Sequence, residues 1–280
     1  MKRLLMLALC GALFAASPAR ADPPVIVTFE AAGANAAAIT GIRDSFRAAV
    51  GGGSVAGANG SFGGLRREIN WDGVPDAFSD PNPLPGNFFN ATSPRGAVFA
   101  TPGTGFLVSA NAGGAVPVLF GFSSDLQSFS PQKLFTSVGS NITDVTFFLP
   151  GTTTAATTSA FGLVFVDVES AGSTHVDFFD AGNALIFSRD VLVAGNQGLS
   201  FLGATVSGDS VARVRITSGS GTIVSNGVLG SSSGDFVVMD DFLYAEPAVM
   251  AAVPEPQTFA LMALGLSMTL LARRRRTART

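Results

Sequence analysis

The chain has 280 residues, 47% hydrophobic and only 13% charged, with 33 glycines and a single cysteine; soluble domains usually carry about 25% charged residues. Its net charge of −3 is unevenly spread: the stretch 22–253 holds nine basic residues against 19 acidic ones, and the other bases sit at the two ends. So acidic a body disfavours nucleic acid, whose phosphates need clustered cations. The Gly-rich, charge-poor composition favours an all-β exported domain over a helical cytosolic enzyme.

Lys2 and Arg3, the apolar run 4–16 and the Ala19-Arg20-Ala21 triplet predict a signal peptide over 1–21, cut by signal peptidase after Ala21. The apolar run is too short to span a membrane well. Cleavage removes Cys10, so the mature chain is expected to have no disulfide, thiol nucleophile or cysteine-bound zinc.

A β-sandwich domain is expected over 22–247. "PPVIVTFE" alternates as a strand does. "AAITGIRDSFRAAVGGG" places Ile39, Ile42, Phe46 and Ala49 at helical spacing, and Gly51-Gly52-Gly53 stops the helix. The stretch 54–93 reads as one long loop, because Pro75, Pro81, Pro83 and Pro85 exclude regular structure. Its aromatic residues, Trp71, Phe78, Phe88 and Phe89, predict an ordered, functional loop. "GGGSVAGANGSFGG" lacks the Lys-Ser/Thr of a phosphate loop.

Nine strand-like runs follow: "TGFLVSA", "KLFTSV", "ITDVTFFL", "FGLVFVDV", "THVDFFD", "ALIFSRD", "LSFLGATV", "VARVRIT" and "DFVVMDDFLY". Gly, Ser, Asn and Asp turns separate them, the pattern of a sandwich or jelly roll. In "SVARVRIT" the expectation is Ala212, Val214 and Ile216 on one face and Val211, Arg213 and Arg215 on the other. Much of "TTTAATTSA" reads as a linker or polar turn. From Phe161 to Tyr244 the order of runs resembles a lectin-like or carbohydrate-binding-module jelly roll, which implies a fold and not a ligand.

Four constellations carry chemistry. His175 is the sole histidine, so any Ser-His-Asp triad would use it; no nucleophile-elbow motif accompanies it, and it is expected on a polar sheet surface. Asp72, Asp76 and Asp80 recur at fixed intervals beside Trp71. They suit a glycan-binding loop, with Trp71 stacking on a sugar or plugging one end of the sandwich, or a carboxylate pair for glycoside hydrolysis. Asp240 and Asp241 are adjacent in the last strand, so one points inward or the pair sits at a bulge. A buried carboxylate needs a partner: Arg213, Arg215, backbone N–H groups, or a cation shared with Glu30. The sandwich resemblance implies the last, a Ca²⁺ joining the first and last strands through Glu30 and Asp240 or Asp241.

After a linker over 248–253 the chain ends in Pro254-Glu255-Pro256, an apolar run 258–272, and Arg273, Arg274, Arg275 and Arg276. As a helix the run measures about 23 Å, short of a ~30 Å hydrocarbon core. The arginines can snorkel and would keep that end cytoplasmic. This three-part order resembles a PEP-CTERM sorting signal over 254–280. The resemblance implies a Gram-negative bacterium, processing by an exosortase near Pro254, a precursor transiently held in the inner membrane by a transmembrane helix, and a place at the cell surface or in an exopolysaccharide matrix. Three functions remain open: a non-catalytic carbohydrate- or matrix-binding module, a glycan-acting hydrolase, and a purely structural envelope protein.

Overall fold

The computed structural model of the protein describes residues 24–110, 118–207, 211–225, 227–230, 234–249 and 262–268. β1 (Ile26–Gly33) leads into α1 (Ala36–Val50). Asn35 caps the helix, its side chain accepting from the Ala38 N–H, and Gly51, at φ +92°, donates back to the Arg47 carbonyl. A polar cap and a left-handed glycine thus set both ends of α1. The chain continues through β2 (Ser61–Phe62), β3 (Arg66–Ile69), the short α2 (Phe88–Ala91), β4 (Ala97–Ala100) and β5 (Gly105–Val108). Next come β6 (Phe135–Val138), β7 (Ile142–Phe148), β8 (Ala155–Ala156), β9 (Ala160–Val166), β10 (His175–Phe179) and β11 (Leu185–Asp190). β12 (Leu199–Val206), β13 (Arg213–Thr217), β14 (Ile223–Ser225), β15 (Val228–Leu229) and β16 (Val238–Ala245) complete the set.

Among the described residues these strands form two sheets, of ten and six strands. The smaller runs β11-β10-β13-β7-β4, with β8 beside β7. The larger runs β1-β12-β9-β16 and then forks. One end of β16 pairs with β6 at Met239, and the other pairs with β3 over Phe242–Ala245. At the fork the register of β16 against β9 slips: Met239 faces Phe165 and Phe242 faces Leu163, so Asp240 and Asp241 together oppose one residue. That is a β-bulge, which bends a strand and redirects its side chains.

The ten-stranded sheet is covered on both faces. Against the smaller sheet it buries Trp71, Phe135, Phe161, Phe242 and Tyr244, with Phe99, Val145, Val214 and Ile216 opposite. On the outer face Ile39 and Phe46 of α1 pack with Val164, Phe201 and Leu243. This double burial explains why β9 and β16 are apolar almost throughout, whereas one-sided β7, β10 and β13 alternate. α1 can lie close because Gly162 and Gly203 face each other across β9 and β12. A Cβ on Gly203 would stand 2.9 Å from the Phe46 ring.

All nine expected runs form strands, and the architecture is a two-layer β-sandwich. Three local expectations need correction. The stretch 54–93 is not loop throughout, since β3 lies within it and adds to the main sheet. The exposed turn in "TTTAATTSA" ends at Thr154: Ala155–Ala156 pair with β7, and Thr157 and Thr158 are buried. Val211 is buried with Val214 and Ile216, because regular alternation begins only at Arg213 and Val211 instead bridges to Thr158.

Pro24–Met250 form one compact unit, and Thr157 and Ala248 exchange backbone hydrogen bonds just past the expected domain end at 247. Residues 262–268, described by themselves, are helical and exposed. No helix among the described residues is long and apolar enough to cross a membrane. Ala19, Ala21, Pro254, Glu255, Pro256 and Arg273, Arg274, Arg275 and Arg276 lie outside the described residues.

Candidate functional site

The bulge places two carboxylates at the fork. Asp240 is fully buried. Its Oδ2 accepts from the Phe129 and Ser130 N–H groups at 2.7 and 3.2 Å, and its Oδ1 accepts from the Asp241 N–H at 2.9 Å. Ser130 Oγ lies 3.2 Å from Asp240 Oδ1 and 2.8 Å from Asp241 Oδ1. One hydroxyl hydrogen cannot serve two carboxylates, so a shared acid proton suits this triangle. Burial, then the Asp241 charge, pushes the Asp240 carboxyl well above the usual carboxylate range. Burial likewise pushes Asp241 up to about 6, against the opposing pull of the Ser130 hydrogen bond and the charges of Arg43 and Arg47.

Arginines surround the open side of this pair. Arg43 and Arg47, four apart on α1, share a helix face. Arg43 Nη1 stands 3.8 Å from Asp241, and Arg47 makes a two-pronged pair with Glu68 on β3 at 2.8 and 2.5 Å. Arg66, only 2% exposed, sends Nε to Glu68 at 2.7 Å and its other nitrogens to the Arg47, Gly51 and Gly53 carbonyls. A cation at a helix C-terminus satisfies the orphan carbonyls and the macrodipole together. The result is a polar groove of about 540 Å³ between α1, the 56–62 loop and β3. Arg43, Arg47, Asn59, Glu68, Asn70, Arg95, Ser130 and Asp241 are among its lining residues.

The Trp71 loop is packed shut, which corrects the expected glycan platform. Trp71 is 1% exposed, stacks on Phe135 at 4.1 Å, and donates from Nε1 to the Asp240 carbonyl at 3.2 Å. A ring so enclosed cannot meet a sugar; of the two roles expected of it, the plug is the one its packing matches. Asp72 accepts from the Gln132 and Lys133 N–H groups at 2.5 and 2.9 Å. Lys133, with no exposed surface, donates to the Val74 carbonyl, Ser79 Oγ and Asp76 at 2.5, 2.8 and 3.3 Å. Asp80 is buried, and burial raises its carboxyl. Asp72 and Asp76 tie the loop to the 132–133 segment through their side chains, Asp80 to the Val108 carbonyl through its N–H, and none of the three lines the polar groove.

The expected calcium set is not assembled either. Glu30 lies on edge strand β1 and makes a two-pronged pair with Arg189 at 2.9 and 2.5 Å. Asp240 is enclosed and Asp241 faces Arg43, so the Glu30, Asp240 and Asp241 carboxylates already have protein partners. Arg213 and Arg215, the other expected partners, pair with Asp144. The group of carboxylates that does converge among the described residues is Asp167, Glu169 and Asp235, with ligand oxygens within 4.8 Å of one another. Asp235 also accepts from the Glu169 and Ser170 N–H groups and Ser173 Oγ. Burial and then the neighbouring acids push Asp167 up to about 7. Nothing in "FVDVES" or "GDFVV" alone signals this meeting, because Asp235 arrives from 66 residues beyond Glu169.

His175 lies in a surface cluster beside a cavity of about 610 Å³. Nδ1 is 2.6 Å from Asp190, and Nε2 is 2.8 Å from Ser188 Oγ and 3.0 Å from Asp177. These are triad distances, but the second carboxylate changes the chemistry. Nε2 faces both the Ser188 hydroxyl and the Asp177 carboxylate, whereas the base of a triad faces its serine alone.

Residues 252–276 match the family model of the PEP-CTERM protein-sorting motif. No curated protein matches the chain. The motif marks an exported protein whose membrane-anchored precursor is processed by an exosortase and sorted to the cell surface.

Proposed function

We propose that the sandwich is a non-catalytic binding module that holds polysaccharide at the surface or in the matrix of a Gram-negative bacterium, after signal peptidase and exosortase have released it. The observation that carries this reading is the groove at the fork. There Arg43, Asn59, Asn70 and Asp241 converge from four separate segments, supplying donors and acceptors at one concave surface. Sugars are recognised by directional hydrogen bonds of this kind, and a site on strands and a helix holds them in place. Export by the PEP-CTERM route brings the module to where polysaccharide is the abundant ligand. A glycan array probed with the full chain tests the reading. Binding that is lost in Asn70→Ala and kept in Ser188→Ala supports it, and no binding on any glycan favours a purely structural envelope protein.

A second reading follows from Asp241, a carboxyl held up to about 6 in a groove that also holds Glu68. A raised acid and a second carboxylate are the elements of glycoside hydrolysis. Reducing ends released from a bound glycan, and abolished by Asp241→Asn, would make the module an enzyme.

A further inference from the structure

We infer that the groove takes a carboxylated sugar of an acidic polysaccharide, with the Arg95 guanidinium as the seat for its carboxylate. The inference rests on the polysaccharide reading and adds the charge of the ligand.

Arg43, Arg47, Arg66, Arg67, Lys133, Arg189, Arg213 and Arg215 each have a carboxylate within 4.0 Å. Among the described residues Arg95 is the one arginine or lysine that has none. Its Nη1 donates to Ser93 Oγ at 2.6 Å, and its Nε is buried with no hydrogen-bond partner. A buried donor left unmade is costly, more so on a charged group. Burial, with the charge of Arg67 adding to it, holds this guanidinium below the usual arginine range, and both effects are relieved by an anion.

The guanidinium is also held in place. The Arg95 N–H donates to the Phe89 carbonyl at 2.7 Å, and the buried Tyr244 hydroxyl donates to the Arg95 carbonyl at 2.9 Å. The guanidinium lies over the Phe89 ring at 4.9 Å. Gly60, at φ +66°, makes room on its other side, since a Cβ there would stand 2.6 Å from Arg95 Nε. A fork fixed before binding loses little freedom when it binds.

The rest of the groove narrows the class. Glu68 and Asp241 line it too, and they repel a dense polyanion such as nucleic acid. One carboxylate per sugar, flanked by hydroxyls for Asn59, Asn70 and Asp241, satisfies both signs of charge.

The test is calorimetric titration of the full chain, in mild detergent, with an oligogalacturonate and with its methyl ester. The two ligands share a skeleton and differ in charge. The acid is expected to bind about ten- to a hundredfold more tightly than the ester, and Arg95→Gln to bind the acid no better than the ester while melting as the wild type does. Should the variant not fold, the acid-to-ester ratio on the wild type decides alone. Equal affinity for acid and ester, or binding of neutral glycans only, overturns the inference and leaves the polysaccharide reading standing. Binding of no glycan, acid or neutral, overturns both.

Discussion

Trp71 Nε1 donates to the main-chain carbonyl of Asp240 at 3.2 Å. This bond joins the proline-rich loop to the bulge at the fork of the main sheet, inside a stack of aromatic rings. The loop therefore acts as a wall behind the acid pair and leaves the groove side to α1 and β3.

Trp71 is the only tryptophan, so its fluorescence reports on this wall. Its emission should be blue-shifted and resistant to quenching by acrylamide. Trp71→Ala should lower stability by about 3–5 kcal/mol in urea unfolding, whereas Trp71→Phe should cost less and leave glycan binding unchanged. A quenchable tryptophan would show the loop to be open.

Lys133 is the pin of the same loop. Lys133→Met keeps the length of the side chain but leaves the Val74 carbonyl and Ser79 Oγ without their donor. The expected loss is about 1–3 kcal/mol, with faster hydrogen exchange confined to residues 70–80.

The dependence of stability on pH follows from the shifted carboxyls, of which burial raises Asp240, Asp72 and Asp80 as well as the two that follow. Asp241, at about 6, and Asp167, at about 7, hold a proton more tightly in the fold than the ordinary value of 3.8 allows. Their contribution is fully present below the unfolded value and lost as pH rises through 6 and 7. Asp144 has the opposite sign: burial raises it, but hydrogen bonds from Arg215 and Arg213 outweigh burial and hold it below 3.8. Its contribution is present at neutral pH and lost in acid. The melting temperature should therefore peak near about pH 4, the unfolded carboxylate value, and fall toward pH 8. Asp167→Asn, which tolerates the left-handed φ of +74°, should raise it at pH 8 and change it little at about pH 4.

Two glycines should respond oppositely to alanine. Gly203→Ala drives a Cβ to within 2.9 Å of Phe46 and should cost about 1–3 kcal/mol by overpacking. Gly41, within α1, has nothing within 4 Å of where its Cβ would be, so Gly41→Ala should stabilise by up to about 1 kcal/mol. Paired urea titrations check both.

Much of the sandwich is legible in the sequence because strands with one wet face must alternate, as Arg213, Val214, Arg215 and Ile216 do, and doubly buried strands must run apolar, as 160–166 does. Two adjacent aspartates in a strand leave two readings open, one of them turned inward or a bulge, and the slip of β16 against β9 has the bulge. What is not legible is decided by long-range partners. "RREI" looks like loop because its first arginine is buried as a cap on α1 and its glutamate as the partner of Arg47, relations that no local pattern encodes. Trp71 reads equally as platform or plug, because proline-rich segments carry no period that says which face is covered. That Arg95 lacks a carboxylate partner is visible only after every other described cation has been matched in space.

Hydrogen exchange of the full chain, with and without its best-bound polysaccharide, tests the central claim most directly. The account predicts protection at 43–47, 56–70 and around Arg95 and Ser130, with 171–193 unchanged. Protection confined to 171–193, the surface cavity beside His175, would contradict it.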